Sequence, residues 1–144
     1  MGYRNYTLFD IPITNLFAGN FLINAIGPDA VTLFGEKPFA DTIKVMPYCT
    51  CHDIPDQSFD LALNQDSFPE IDETLVRHFL TEIRRTSRSL FLSINHEAQS
   101  DMTINRKQLN LSAILKHQPG FTRLSRKKYW LREGYAEEAY RLTR

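Results

Sequence analysis

The sequence predicts an α/β fold on a mostly parallel sheet, and three observations carry that prediction. Short apolar runs alternate with segments of helical period, which implies strands joined by right-handed crossovers. The runs at 6–9, 59–63 and 90–94 each end in polar residues, at Asp10, at 64–70 and at 95–97. Open α/β sheets bind ligands at such carboxyl ends. The third observation is an absence: the glycines stand at 2, 19, 27, 35, 120 and 134, no two of them close, so no glycine-rich loop is formed.

Size and composition bound the rest. A chain of 144 residues suits a single domain, 1–144, and 42% hydrophobic residues are enough for a packed core. Seventeen basic residues balance seventeen acidic ones, so no net field draws the chain to nucleic acid or anionic lipid. The basic stretch Arg123, Arg126, Lys127, Lys128 and Arg132 is expected to be a solvated strand edge rather than an RNA-binding stripe. No apolar run is long enough to span a bilayer and the N-terminus has no apolar signal core, so a cytoplasmic protein is expected. The sequons at Asn5 and Asn110 then carry little weight. Cys49 and Cys51 are too close for an ordinary bridge and match no zinc framework, so no metal is expected.

The elements follow in order. A first strand at 6–9 ends at Asp10-Ile-Pro12, because proline cannot donate to a ladder. Residues 14–26 have helical period, with Thr14 as the expected cap and Gly27-Pro28 as the stop. Apolar residues cover most of that helix, which is either buried on several sides or part of a partner interface. Strands are expected at 31–34 and 43–46, then a turn cluster at 53–58. The strand at 59–63 is apolar on both faces and is expected at a sheet centre. An amphipathic helix at 73–87 is capped by Asp72, and a buried strand follows at 90–94. A helix at about 107–117 closes at Pro119-Gly120 and a strand runs over 121–131. The tail, 135–142, reads either as a helix by propensity or as a hairpin strand after the Gly134 turn.

Candidate chemistry sits at the strand ends. Asp10 is placed to accept hydrogen bonds from ribose hydroxyls, or serves as a turn former before Ile-Pro. Asp66 and Glu70 share a loop stiffened by Phe68-Pro69, and Asn64 there offers both a donor and an acceptor. His96 follows a buried strand, flanked by Asn95 and Glu97. Imidazole is the side-chain type best matched to proton transfer at neutral pH.

Several of these segments resemble a known family. Phe59-Asp-Leu-Ala-Leu-Asn-Gln-Asp-Ser-Phe-Pro-Glu70 is similar to the fourth-strand motif of class I S-adenosylmethionine-dependent methyltransferases. It looks most like the sugar O-methyltransferases of bacterial surface-polysaccharide clusters. Ser93-Ile-Asn-His-Glu-Ala98, Pro119-Gly-Phe121, Tyr129-Trp-Leu-Arg-Glu-Gly-Tyr135 and Glu137-Glu-Ala-Tyr140 also resemble that family, and Tyr6–Pro12 resembles its second strand with an Asp-Leu-Pro-type ending. The resemblance implies a Rossmann-like sheet ending in an antiparallel hairpin, with the first strand and helix lacking. It implies S-adenosylmethionine as cofactor and a sugar or polysaccharide hydroxyl as acceptor. Asp10 would hold the cofactor ribose, Asp53 and Ile54 would flank the adenine, and Asn64 and Asp66 would lie near the methyl donor.

Asp66, Glu70 or His96 would be the base, a choice the sequence leaves open. Asn95 and Glu97 would contact the acceptor. Tyr129, Trp130 and Arg132 would line a sugar site, or else pack along a strand edge. In such a sheet the first strand lies between the second and fourth, so its loss implies re-pairing or self-association. The alternative to an enzyme is therefore a truncated domain that self-associates, inactive and without cofactor. On either view a homo-oligomer is expected.

Overall fold

A computed structural model describes residues 5–37, 39–97 and 108–144. The chain gathers into two compact units that divide between Ile54 and Pro55.

The first unit holds a three-stranded parallel sheet. Strand β1 is Tyr6–Asp10, helix α1 is Pro12–Ile26, β2 is Val31–Leu33 and β3 is Ile43–Pro47. The strand order is β1-β3-β2, with Tyr6 and Val31 both level with Ile43. All its strands run parallel, as the alternation of strand and crossover predicts. Helix α1 starts earlier than Thr14. Pro12 takes its first turn, where a missing N–H is harmless, and Ile11 is the cap residue. Only Asn15 and Gly19 of this helix are buried. Gly19 lies so close to β2 that a Cβ there would fall 2.9 Å from Leu33 Cδ2. Ile13, Leu16, Phe17 and Phe21 are exposed, Phe21 at 70%. Of the two readings open for this helix, burial on several sides is not what the structure shows.

The second unit is a mixed sheet with helices on one face. It comprises β4 (Phe59–Gln65), α2 (Glu73–Thr86), β5 (Ser87–His96), α3 (Leu111–Lys116), β6 (Phe121–Lys128) and β7 (Tyr135–Leu142). The order is β4-β5-β7-β6; β4 and β5 are parallel, and β7 is antiparallel to both β5 and β6. The tail is thus a hairpin strand. Its helical propensity yields to pairing on two sides, since tertiary context overrides a weak local preference.

Helix α2 forms as its apolar period predicts. Asp72 caps it by accepting from Thr74 N at 2.8 Å, and Val76 and Leu80 are fully buried. Helix α3 is shorter than expected; Asn110 caps it at Ala113 N, and residue 107 lies outside the described residues. Phe68, Val76, Leu80, Phe91, Leu111, Ile114, Leu115, Tyr140 and Leu142 form the core between the sheet and these helices.

One expectation fails. Strand β4 does not occupy a sheet centre; among the described residues it is an edge. Apolar faces on both sides signal a strand covered twice, but here only the face toward α2 and α3 is covered, and Leu61 and Leu63 are 50% and 44% exposed.

Apart from Arg132, the basic stretch lies on β6, the other edge of this sheet, yet it is not simply solvated. Residues three apart on a strand normally face opposite ways. A register shift between Arg123 and Ser125 re-aims the strand, so Arg123 and Arg126 both reach the buried Glu138, at 3.1 and 3.0 Å. Lys127 pairs with Glu137 at 2.9 Å.

Candidate functional site

The carboxyl ends of β4 and β5 open into a polar cavity of about 330 Å³. Asp66 follows β4 directly, with φ at 56°, a left-handed conformation that Asp tolerates. Its N–H donates to Ile94 O at 3.0 Å, which pins the turn to β5. Phe68 and Pro69 are buried and hold Glu70 at the rim, so the loop is packed as its sequence suggests. His96 ends β5 and is level with Tyr135 on β7. The turn before Tyr135 closes over the imidazole. Gly134, at φ 77°, leaves the room: a Cβ there would fall 2.8 Å from His96 Nε2.

The structure therefore brings Asp66, Glu70, His96 and Arg132 to one cavity, together with Pro69, Gln108, Glu133 and Tyr135. Arg132 donates to one Asp66 oxygen and Tyr135 to the other. The Arg132 guanidinium also stacks on the Tyr135 ring, 4.4 Å from its centroid. The Tyr135 hydrogen bond, opposed by burial and assisted by Arg132, holds the Asp66 carboxyl below its ordinary value. Burial and the Asp66 carboxylate push the Tyr135 phenol up to about 12. Asp66 is thus an ionised, fully engaged anchor and a poor proton acceptor. His96 differs. Its Nδ1 lies 3.1 Å from Gln108 Oε1, and in the tautomer that donates to that oxygen Nε2 is left as the acceptor.

The other predicted residues lie elsewhere. Asn95 is buried beneath the loop: its Nδ2 donates to Asn64 Oδ1 at 3.0 Å and Ser93 Oγ at 2.9 Å. Asn64 in turn donates to Ser67 Oγ at 2.6 Å. Both brace the loop and neither lines the cavity. Glu97 is paired with Arg126. Tyr129 is half-buried, with its N–H on Tyr135 O, and Trp130 is 86% exposed in the turn between β6 and β7. In the first unit, Asp10 ends β1, and one carboxylate oxygen accepts from Ile11 N at 2.7 Å. Asp53 pairs with His52 at 3.1 Å, and Ile54 is half-buried beside it.

Sequence reasoning missed Tyr135, Gln108, Glu133 and Asn15. Tyr135 carried a signal, since it directly follows the Gly134 turn; its level with His96 depends on pairing across the sheet. Asn15 is buried inside α1 and donates to the ends of two strands, to Asp10 O at 3.1 Å and Met46 O at 2.8 Å. Its Oδ1 has no partner among the described residues.

No family model matches the chain, and no curated protein matches it. Solved structures do. The mitomycin 7-O-methyltransferase matches with a TM-score of 0.67 at 16% identity, over 95% of this chain. The chain spans only 41% of that enzyme's length. A protein of Pyrococcus horikoshii OT3 matches at 0.70 and 10% identity, over 96% of this chain and 71% of its own. The 1,6-didemethyltoxoflavin-N1-methyltransferase of Burkholderia thailandensis, solved with bound 1,6-didemethyltoxoflavin and S-adenosylhomocysteine, matches at 0.57 and 14% identity, over 98% of this chain and 72% of its own. The chain has the Rossmann-like α/β fold of these methyltransferases. Among the described residues no helix is long and apolar enough to cross a membrane.

The donor set for S-adenosylmethionine is partial. At the β1 end, the Asp10 carboxylate is an acceptor suited to ribose hydroxyls. The described glycines form no glycine-rich loop: Gly19 is inside α1, Gly27, Gly120 and Gly134 serve turns that do not follow a parallel strand, and Gly35 stands alone in the turn after β2.

Proposed function

We propose that this chain serves S-adenosylmethionine-dependent methylation of a hydroxyl group on a sugar or polysaccharide. The observation that carries this is the cavity at the carboxyl ends of β4 and β5, where His96 stands among carboxylates on the fold of methyltransferases. The donor would supply an electrophilic methyl group; this chain's residues hold the acceptor and receive its proton. His96 is the base, because Gln108 fixes its ring while Asp66 is engaged by Arg132 and Tyr135. Asp66, Glu70 and Glu133 outnumber Arg132 around the cavity, which favours a neutral polyol over an anionic acceptor. Trp130, exposed in the turn between β6 and β7, would offer a stacking surface for a sugar ring. Asp10 would take the ribose.

The same reading makes the chain a cytoplasmic homo-oligomer, supported by the exposed apolar residues of α1. A second reading is a self-associating domain without catalysis, favoured by the same exposed apolar residues of α1. The two differ in a transfer assay with a polysaccharide acceptor, read by mass spectrometry. The enzyme reading expects a methylated acceptor, with His96→Ala slowing transfer by roughly 10²–10⁴-fold and leaving donor binding intact. Transfer unaffected by His96→Ala would remove His96 from the mechanism, and absence of transfer to any neutral sugar would favour the second reading.

A further inference from the structure

The basic stretch of β6 walls a second cavity, of about 570 Å³, within the Pro55–Arg144 unit. Glu97, Arg126, Lys127 and Lys128 line it together with Tyr135, which also lines the cavity of His96. The two cavities thus share a wall. Arg126 and Lys128 stand two apart on β6, level with Glu138 and Ala136 of β7, so their side chains share a face. Lys127 belongs to the opposite face and pairs with Glu137 at 2.9 Å. On the shared face Arg126 is taken by Glu97 and Glu138, and Arg123 by Glu138. Three cations there, Arg123, Arg126 and Lys128, meet two carboxylates. The excess charge falls on Lys128, which is exposed and whose ammonium has no hydrogen bond or ion pair among the described residues. The neighbouring cavity has the opposite balance, with Asp66, Glu70 and Glu133 against Arg132.

We propose that this second cavity is a subsite for an anionic substituent, a carboxylate or a phosphate, on the sugar chain whose hydroxyl enters the cavity of His96. The inference rests on the sugar-methylation reading above and adds the class of acceptor, an acidic saccharide. The two signs of charge divide the work. An anion is repelled where the carboxylates gather, so the unit that presents its hydroxyl to His96 is neutral there. The next charged group of the same chain meets Lys128 across Tyr135, at a point where Arg126 is already committed to carboxylates and Lys128 is not. This polarity also sets direction, because a chain laid the other way would put its anion against Asp66 and Glu70.

Equilibrium dialysis of the full chain against labelled hexamers of galacturonic acid, of phosphorylated glucose and of plain glucose tests this without any methyl transfer. At low salt an acidic hexamer is expected to bind about tenfold more tightly than plain glucose, and the tighter of the two acids identifies the substituent. Lys128→Glu should abolish the preference and Lys128→Arg should keep it. Neither should move the melting temperature, because the side chain is exposed. Equal binding of acidic and neutral hexamers, or a preference that survives Lys128→Glu, would overturn the subsite. Tighter binding of a single-stranded RNA hexamer than of either acidic sugar would overturn it in favour of nucleic acid. A preference that depends on Lys128, in a chain that methylates none of the hexamers, would uphold the subsite and remove the methylation reading alone.

Discussion

Phe91→Ala is expected to destabilise the Pro55–Arg144 unit by about 3–5 kcal/mol. Phe91 has no exposed surface and sits on the central strand β5, where the core turns from α2 toward the hairpin. It meets Phe121 edge-on at 5.9 Å and Tyr140 at 6.1 Å between ring centroids. Removing the ring therefore loses burial, leaves a cavity and unpairs two aromatic contacts. Strands on both sides of β5 are hydrogen-bonded to it, so the backbone has little freedom to collapse into the space. The check is urea unfolding. The midpoint should fall while the slope is kept, because the change acts on the folded core. Leu124→Ala, at a site 47% exposed, should move it by about 0.5 kcal/mol or less.

Glu138→Ala is expected to cost about 1–3 kcal/mol. The Glu138 side chain is 4% exposed and accepts from Arg123, Arg126 and Ser112 on one oxygen and from Tyr140 on the other. Its loss strands the buried Tyr140 hydroxyl, whereas Arg123 and Arg126 can turn to water, which keeps the cost below that of a fully buried pair. Burial pushes the Glu138 carboxyl up, but hydrogen bonds from Arg126, Tyr140, Ser112 and Arg123 outweigh it and hold the carboxyl below its ordinary 4.5. The folded value is thus depressed. The stabilisation is present above 4.5 and is lost as pH falls through the lower folded value. Acid titration of stability should therefore show a decline that begins as pH falls past 4.5 and levels off beneath the folded value, and Glu138→Gln should flatten it. An equally steep decline in Glu138→Gln would assign the effect to other carboxylates, Asp66 among them.

Much of the frame was legible because it depends on local signals. The Asp72 cap and the 3.6-residue apolar period define α2 without reference to any neighbour. The polar ends of β4 and β5 marked the cavity, since the ligand-binding end of a parallel sheet follows from strand direction alone. What could not be read depends on pairing between distant segments. Pro12 moved the start of α1, because its fixed φ suits a first turn better than the Thr14 side chain suits a cap. Position within a sheet is not encoded by a strand's own residues, so β4 has a centre strand's composition at an edge. Tyr135 joins Asp66 only through β7 lying against β5, and the register shift in β6 that turns Arg123 and Arg126 toward Glu138 leaves no mark in the sequence.

Calorimetric titration with S-adenosylmethionine tests the central claim most directly. The account predicts a saturable heat, a raised melting temperature at millimolar cofactor, and weaker binding in Asp10→Ala, whose half-buried strand end would take the ribose. No heat and no thermal shift at that concentration, in a chain shown to be folded, would contradict it.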